Sequence, residues 1–381
     1  MSPPAETKPA QTPPLPTIVV FLLFHLVYLL LPLLFVVLPI WLCVSDGWCH
    51  VGVTWMIGYL SWFAVAHGSA KDGEGRPWPA FENWSLFARM FAWFPMRLVA
   101  TKALPPQQQC VFGVHPHGAF AFGRAMFGFC TRQLWDPAFG GVDFRVLVAT
   151  AAFRVPIVRE MWLWSHCIDA SKPAAVRALQ KKKSLLLHPG GIKEQMMTQR
   201  GKHCVCLKNR KGFIKLALQH GCSLVPIYIF GESDLFHHWS LGRETRVWIA
   251  DAIGAAVMLA SGSLGLLPCR VPIAGASGPP IAVMQTDNPT QKQIDDLHAT
   301  CAKALQRLFD AQKTTCGYAK DDVLEICQSK LHRGTCRLGQ EHFVSDQHSQ
   351  DCCVELRATN NCWDLHRGCK QSSVAKLSWD D

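Results

Sequence analysis

The sequence predicts an α/β domain with a mostly parallel central sheet flanked by helices, preceded by an N-terminal transmembrane hairpin. Three observations predict it. From Gln109 to about Ile326, short β-rich runs alternate with helical ones, the pattern of a largely parallel sheet covered by helices. No charged residue occurs between Lys8 and Asp46, a stretch that includes Thr17–Val44. A second uncharged run, Val51–Ala66, follows a polar break at Ser45–His50.

In chain order, residues 1–16 are rich in Pro, Ser, Thr and Ala and read as a disordered tail. Thr17–Val44 as one helix would measure roughly 42 Å, against about 30 Å for a bilayer core. Pro32 and Pro39 can kink it, and tilt can absorb the excess. The run is too long for a signal peptide. Val51–Ala66 is short for a span, so a buried or interfacial helix is its alternative. Residues 17–68 thus form the predicted hairpin. Its connecting loop holds Asp46 and no Lys or Arg, whereas Lys8, Lys71 and Arg76 flank its open ends. The positive-inside rule then puts both termini, and the domain that follows, in the cytosol.

Residues 69–104 are expected to be an interfacial amphipathic segment, because Phe81–Val99 mixes Trp and Phe with Arg89 and Arg97. Residues 105–327 make the α/β domain. Its predicted strands lie at Cys110–Val114, Phe144–Thr150, Ser184–His188 and Ser223–Phe230. Its predicted helices lie at Pro173–Lys181, Arg210–Gln219 and Gln291–Lys313, the last opened by the cap signal Asn288-Pro289-Thr290. The apolar run Ala252–Pro268 is short and full of Gly and Ser; it reads as a core helix, with a lipid-facing element as the alternative. Residues 328–381 are a Cys-rich polar tail whose irregular spacing defines no metal module.

Composition narrows the function classes. The chain is 49% hydrophobic, with mean hydropathy +0.11 and net charge +10. Residues 1–68 hold only Glu6, Lys8 and Asp46, and residues 328–381 balance, so the excess positive charge sits on the middle of the chain. A basic body beside oily anchors suits an anionic membrane face or a phosphorylated ligand. No basic stripe is interleaved with aromatics, so no nucleic-acid partner is expected. The 17 Cys contain no C-x-x-C pair; free thiols in a reducing compartment are the simplest reading. G-x-S-x-G, Walker A, H-E-x-x-H and G-x-G-x-x-G are all absent, which removes the corresponding hydrolase, P-loop, zincin and dinucleotide readings.

Four stretches can carry chemistry. The strand ahead of His115-Pro116-His117-Gly118 should stop at Pro116, which sets two imidazoles at a strand's C-terminal edge, where open α/β sheets place their sites. A neutral imidazole can take a proton from an alcohol as it attacks a carbonyl, and Gly118 lets substrate approach the backbone. A structural His pair and a metal site are the alternatives; a third metal ligand is not identified, and no metal is expected. In His188-Pro189-Gly190-Gly191, followed by Glu194, turn amides can hold an oxyanion or phosphate. Glu194 is either a first-turn helix carboxylate or the partner of the catalytic imidazole. Lys208, Arg210 and Lys211, ahead of Gly212, put cations where a helix should begin; the dipole disfavours them unless an anion joins, and a solvated basic face is the alternative. Glu232, after the strand ending at Phe230, is a supporting carboxylate or a plain turn residue.

Together these motifs resemble the type 2 diacylglycerol acyltransferase family, which includes monoacylglycerol and wax-ester acyltransferases. The resemblance covers about residues 80–326. His115-Pro116-His117-Gly118 is similar to the family's His-Pro-His-Gly signature. Arg154 through Arg177 is similar to its central block. Gly190-Gly191 with Glu194 resembles its Gly-Gly-x-x-Glu element. Arg210 through Glu232 is the longest close match, and Asn288 through Gly317 resembles its C-terminal helix. The resemblance implies a membrane-anchored glycerolipid-acyltransferase-like domain that esterifies diacylglycerol to triacylglycerol from acyl-CoA. It implies the endoplasmic reticulum membrane and the lipid droplet surface as location. It also implies His115 and His117 as the catalytic centre with Glu194 as partner. Pro116, Gly118, Pro189, Gly190, Gly191, Lys208, Arg210, Lys211, Gly212 and Glu232 are then expected around the substrates. No cofactor is expected, acyl-CoA being a substrate; membrane lipids are partners, and a homo-oligomer fits equally well. Related glycerol-phosphate acyltransferases carry an Asp five residues after the His. Phe120 and Phe122 stand there in this chain, so any carboxylate must come from elsewhere. Monoacylglycerol or fatty alcohol as acceptor, an acyl-enzyme on Cys110 or Cys130, and a non-catalytic membrane scaffold are the alternatives.

Overall fold

The computed structural model describes residues 5–7, 13–26, 30–45, 47–100, 104–105, 107–155, 157–239, 241–263, 265 and 267–328. The Cys-rich tail lies beyond them. Twelve strands occur among the described residues: β1 Ala5–Thr7, β2 Met96–Ala100, β3 Cys110–His115, β4 Phe144–Val148, β5 Cys167–Asp169, β6 Ser184–Leu187, β7 Cys204–Cys206, β8 Ser223–Phe230, β9 His237–His238, β10 Ala260–Ser261, β11 Ile273–Ser277 and β12 Glu325–Cys327. Eight form the main sheet, in the order β1-β2-β11-β8-β3-β6-β4-β5. Pairing is parallel from β8 through β5 and between β2 and β11, and antiparallel at β1–β2 and β11–β8. The mostly parallel α/β sheet expected from the alternating pattern is therefore present.

Alternation along the strands divides the core. Phe112 and Val114 of β3, with Val225, Ile227 and Ile229 of β8, join one buried cluster. Val111 of β3, with Leu224, Tyr228 and Phe230 of β8, joins the other, as period-two side-chain placement requires. The second cluster is covered by two predicted helices. Gly212–His220 ends at Gly221, whose φ of +64° is the left-handed conformation that closes a helix. Gln291–Gln312 starts at Thr290, where a capping box with Gln293 satisfies the first amides. Its buried residues Ile294, His298, Cys301, Leu305 and Leu308 recur every three or four positions.

Four expectations change. Ala5–Thr7, placed in a disordered tail, forms the edge strand β1. The segment expected to be interfacial contributes Met96–Ala100 to the interior of the sheet, because Met96, Leu98 and Ala100 bury on it. Ala252–Pro268 is not a core helix. The helix Arg243–Ile253 stops at Gly254 (φ +68°), and the Gly- and Ser-rich chain beyond it forms the short β9–β10 ladder with Leu259 exposed. Cys204 and Cys327 form a disulfide across β7 and β12, while the other described cysteines are free. Parallel pairing of those two strands brings the two thiols together across 123 residues of sequence, a proximity no local spacing reveals.

At the N-terminus lie the helices Thr17–His25, Leu31–Val44 and Cys49–Ala66. Among the described residues, one helix, Cys49–Ala70, is long and apolar enough to cross a membrane, and Leu33–Val44 is a shorter apolar one. These two pack on each other: Phe35 meets Tyr59 at a ring-centroid distance of 4.5 Å, and a Cβ at Gly52 would strike the Pro39 carbonyl at 2.6 Å.

Candidate active site

Three neighbouring parallel strands, β6, β3 and β8, run out on the same edge of the sheet. His115 ends β3, His188 follows β6, and Glu232 lies two residues past β8. The crevice outside the carboxyl ends of such strands is where open α/β sheets hold ligands.

Glu194 joins two of these strand ends. It sits in the helix Gly191–Met197, which the Pro189-Gly190-Gly191 turn launches from β6, and it is 2% exposed. One carboxylate oxygen accepts the His117 backbone N–H at 2.6 Å; the other accepts the Cys206 N–H at 2.7 Å. The second oxygen also lies 4.0 Å from Nδ1 of His115, outside hydrogen-bond range. Burial pushes the carboxyl up to about 7, against the pull of the two N–H donors and of Arg210. Gly190 is required beside it, since a Cβ there would run into the Glu194 carboxylate.

Glu232 performs the same contact on the other side of the loop. Its oxygens accept the Phe122 N–H at 2.8 Å and the Gly123 N–H at 2.5 Å. Burial raises it to about 7 as well, against those two donors and Arg124. A Cβ on Gly118, whose φ is +63°, would collide with the Glu232 side chain. The loop from Pro116 to Arg124 is thus pinned at both ends by buried carboxylates, and Gln195 holds its middle by donating to the Ala119 carbonyl.

The imidazoles are held neutral. His115 is 2% exposed, and burial lowers it to about 3. His117 is half-buried and lowered to about 4, by burial first and the Arg124 charge last. Its Nδ1 faces the Gly118 carbonyl at 3.3 Å. A carbonyl can only accept, so that contact puts the proton on Nδ1 and leaves Nε2 as the basic nitrogen. The ring of His188 lies 4.9 Å from that of His117, with both of its nitrogens buried. It too is driven well below its ordinary pKa, by burial and then by His117 and Arg124.

Of the residues expected at the site, His115, Pro116, His117, Gly118, Pro189, Gly190, Gly191, Glu194 and Glu232 come together at this edge. Arg210 joins them by donating to the Gly190 carbonyl at 3.0 Å. The Gly191 amide is spent on the His188 carbonyl at 3.1 Å, closing the turn. The expected cation cluster separates. Lys211 pairs with Asp295 of the long C-terminal helix at 2.7 Å, the Lys208 backbone N–H donates to Cys327, and Gly212 is exposed. Asp295 answers the Lys211 charge alone. Two residues escaped the sequence reading. His188 lay in a stretch singled out only for its amides. Arg124, buried and stacked over Trp162 at 4.2 Å, is the cation whose charge reaches His117, His188 and Glu232.

The chain matches the family model described as diacylglycerol acyltransferase over residues 48–327. It is 33% identical over 291 residues to the diacylglycerol O-acyltransferase 2 of Xenopus tropicalis, covering 71% of this chain and 80% of that protein. It is 34% identical over 285 residues to the 2-acylglycerol O-acyltransferase 1 of Mus musculus, covering 70% and 84%. A crystal structure of the 1-acyl-sn-glycerophosphate acyltransferase PlsC from Thermotoga maritima aligns with a TM-score of 0.38 at 11% identity, over 78% of this chain and 97% of that one.

Proposed function

The chain belongs to the diacylglycerol acyltransferase family, and on that footing we propose that it transfers a fatty acyl group from acyl-CoA to the free hydroxyl of diacylglycerol, yielding triacylglycerol and CoA. His117 is the general base. Its Nε2 takes the hydroxyl proton as the oxygen attacks the thioester carbonyl, and the tetrahedral intermediate collapses with loss of the CoA thiolate, which the imidazolium protonates. Glu194 fixes the loop that carries His117, and its negative charge favours the transient imidazolium. Arg124 is the cation available to the oxyanion. The observation that carries this reading is the half-buried neutral imidazole of His117, with its tautomer set by Gly118 and its backbone tied to a buried carboxylate.

Direct transfer is favoured over an acyl-enzyme. Cys110 and Cys130 are both buried and pushed up to about 12, and only the thiolate is nucleophilic. Cys110 also begins β3, roughly 17 Å along the strand from His115.

The apolar segment made of the three N-terminal helices supports a membrane hairpin with both ends on the domain's side. Pro13 and Thr17, at its start, contact Arg89 and Trp93. Trp62 and Phe63, near its end, contact Glu160 and Arg159. Both open ends therefore meet the catalytic body, which we place on the cytosolic face of the endoplasmic reticulum. Monoacylglycerol is the second acceptor to test, because the mouse 2-acylglycerol acyltransferase matches this chain as well as the diacylglycerol enzymes do.

Expression in cells that lack neutral lipid synthesis tests the assignment. Triacylglycerol should accumulate with the wild type and not with His117→Ala. Accumulation of diacylglycerol from fed monoacylglycerol, without triacylglycerol, would transfer the assignment to the second acceptor. No new ester above the empty-vector control would overturn both.

A further inference from the structure

Between β8 and β11 the chain leaves the sheet and returns. The neck of this excursion is closed where the Cys269 N–H donates to the Leu235 carbonyl at 2.7 Å. Its described residues carry the ladder β9–β10 and the helix Arg243–Ile253. Arg246 braces the whole unit. Its guanidinium donates to the carbonyls of Trp239, Leu241 and Val257, joining the helix to both sides of the excursion. The Trp239 N–H also donates to the Leu259 carbonyl at 2.9 Å.

On this braced frame, four large apolar side chains stand outward, beside the exposed Glu244, Thr245 and Asp251 of the helix. Trp239 is 61% exposed, Leu241 78%, Trp248 72% and Leu259 42%. Inward neighbours Met258 and Ala260 pack on the hydrophobic core. Large aromatic and aliphatic side chains on a rigid frame, facing out, are costly in water and favourable at the headgroup–acyl boundary, where Trp is enriched.

Two connections tie this unit to the rest of the molecule. The first runs to the apolar hairpin. Val19 and Leu23 of its first helix pack against the same core cluster as Met258 and Ala260. Past the neck, Arg270 donates to the Trp93 carbonyl, and the Trp93 indole donates to Thr17, the first residue of that helix. The second runs to the active site. Phe120, two residues beyond Gly118 and 46% exposed, meets Phe236 at the neck with ring centroids 4.9 Å apart.

We propose that the arm spanning residues 236–268 is a second membrane-contact surface, dipping Trp239, Leu241, Trp248 and Leu259 into the bilayer and bringing the lipid surface to the mouth of the His117 loop at Phe120. Its partner is a phospholipid bilayer, and the inference rests on the reading that the N-terminal hairpin lies in that bilayer. The arm gives a diacylglycerol molecule a path from the membrane to the site without crossing water.

The full chain in proteoliposomes, containing a phosphatidylcholine with a photoreactive group on its acyl chain, tests this by mapping lipid adducts after illumination. Adducts on peptides spanning 239–259, together with adducts on the N-terminal hairpin, are expected. The triple variant Trp239→Ser/Leu241→Ser/Trp248→Ser should lose the arm adducts and keep the hairpin adducts. It should also esterify long-chain diacylglycerol in vesicles about tenfold more slowly, while a short-chain diacylglycerol dissolved as monomers reacts at the wild-type rate. Adducts on the hairpin alone would show that the arm faces water and overturn the proposal. So would cross-linking of the arm to a second copy of the chain. Arm adducts in a protein with no esterification activity would leave the membrane surface standing and remove the enzymatic reading instead.

Discussion

Glu194 and Glu232 look alike and face different things. Each is 2% exposed, each accepts two backbone N–H groups, and burial lifts each to about 7. They grip opposite ends of the loop that follows β3. Glu194 also lies 4.0 Å from the His115 ring, whereas Glu232 answers the two loop amides and the charge of Arg124. The difference teaches that a buried carboxylate near an active site need not be part of the chemistry. Backbone acceptors fix geometry; proximity to an imidazole also changes its proton affinity.

That comparison can be sharpened by substitution, and the largest effect belongs to neither glutamate. His117→Ala should slow esterification by roughly 10²–10⁴-fold, measured as labelled triacylglycerol formed in microsomes. Glu194→Gln comes next, with a fall of roughly 10–100-fold in kcat and little change in the KM for acyl-CoA. An equal fall in Glu232→Gln would erase the distinction between the two. His188→Ala should cost about tenfold, because that ring lies 4.9 Å from the His117 ring and is buried at the same strand edge. Glu232→Gln should be the mildest in rate, a few-fold. An amide cannot accept from both the Phe122 and Gly123 N–H groups, and leaving one unpaired should lower stability by about 1–3 kcal/mol, read as a drop in Tm. Gly118→Ala should reproduce that drop from the other direction, by pushing a methyl into Glu232 at a positive φ.

Much of this arrangement was legible in the sequence, for identifiable reasons. β3, β6 and β8 are runs of apolar residues bounded by turn residues, and β8 is buried along its whole length. β5 has three residues and β11 reads Ile-Ala-Gly-Ala-Ser, so neither carries a strand signal on its own. β2 was hidden inside a Trp- and Phe-rich stretch whose amphipathic character suggested the interface. At the site, the His pair and Glu194 lie in motifs. The contact of Glu232 with Phe122 and Gly123 spans more than a hundred residues, and no local pattern encodes it. Arg124 reads as an ordinary basic residue until burial removes its solvent. The ion pair of Lys211 was hidden for the same reason: its partner, Asp295, is far away in sequence.

The most direct test compares the pH dependence of kcat for the wild type, Glu194→Gln and Glu232→Gln. Burial keeps His117 neutral down to about 4, so its protonation does not limit the rate between pH 5 and 8. Glu194 is raised to about 7, so it gains a proton as pH falls through that value, and under the proposed mechanism the charge that favours the imidazolium is then lost. The wild type should therefore show an acid limb near pH 7 that persists in Glu232→Gln and disappears in Glu194→Gln. An acid limb that survives in Glu194→Gln and vanishes in Glu232→Gln would contradict the account.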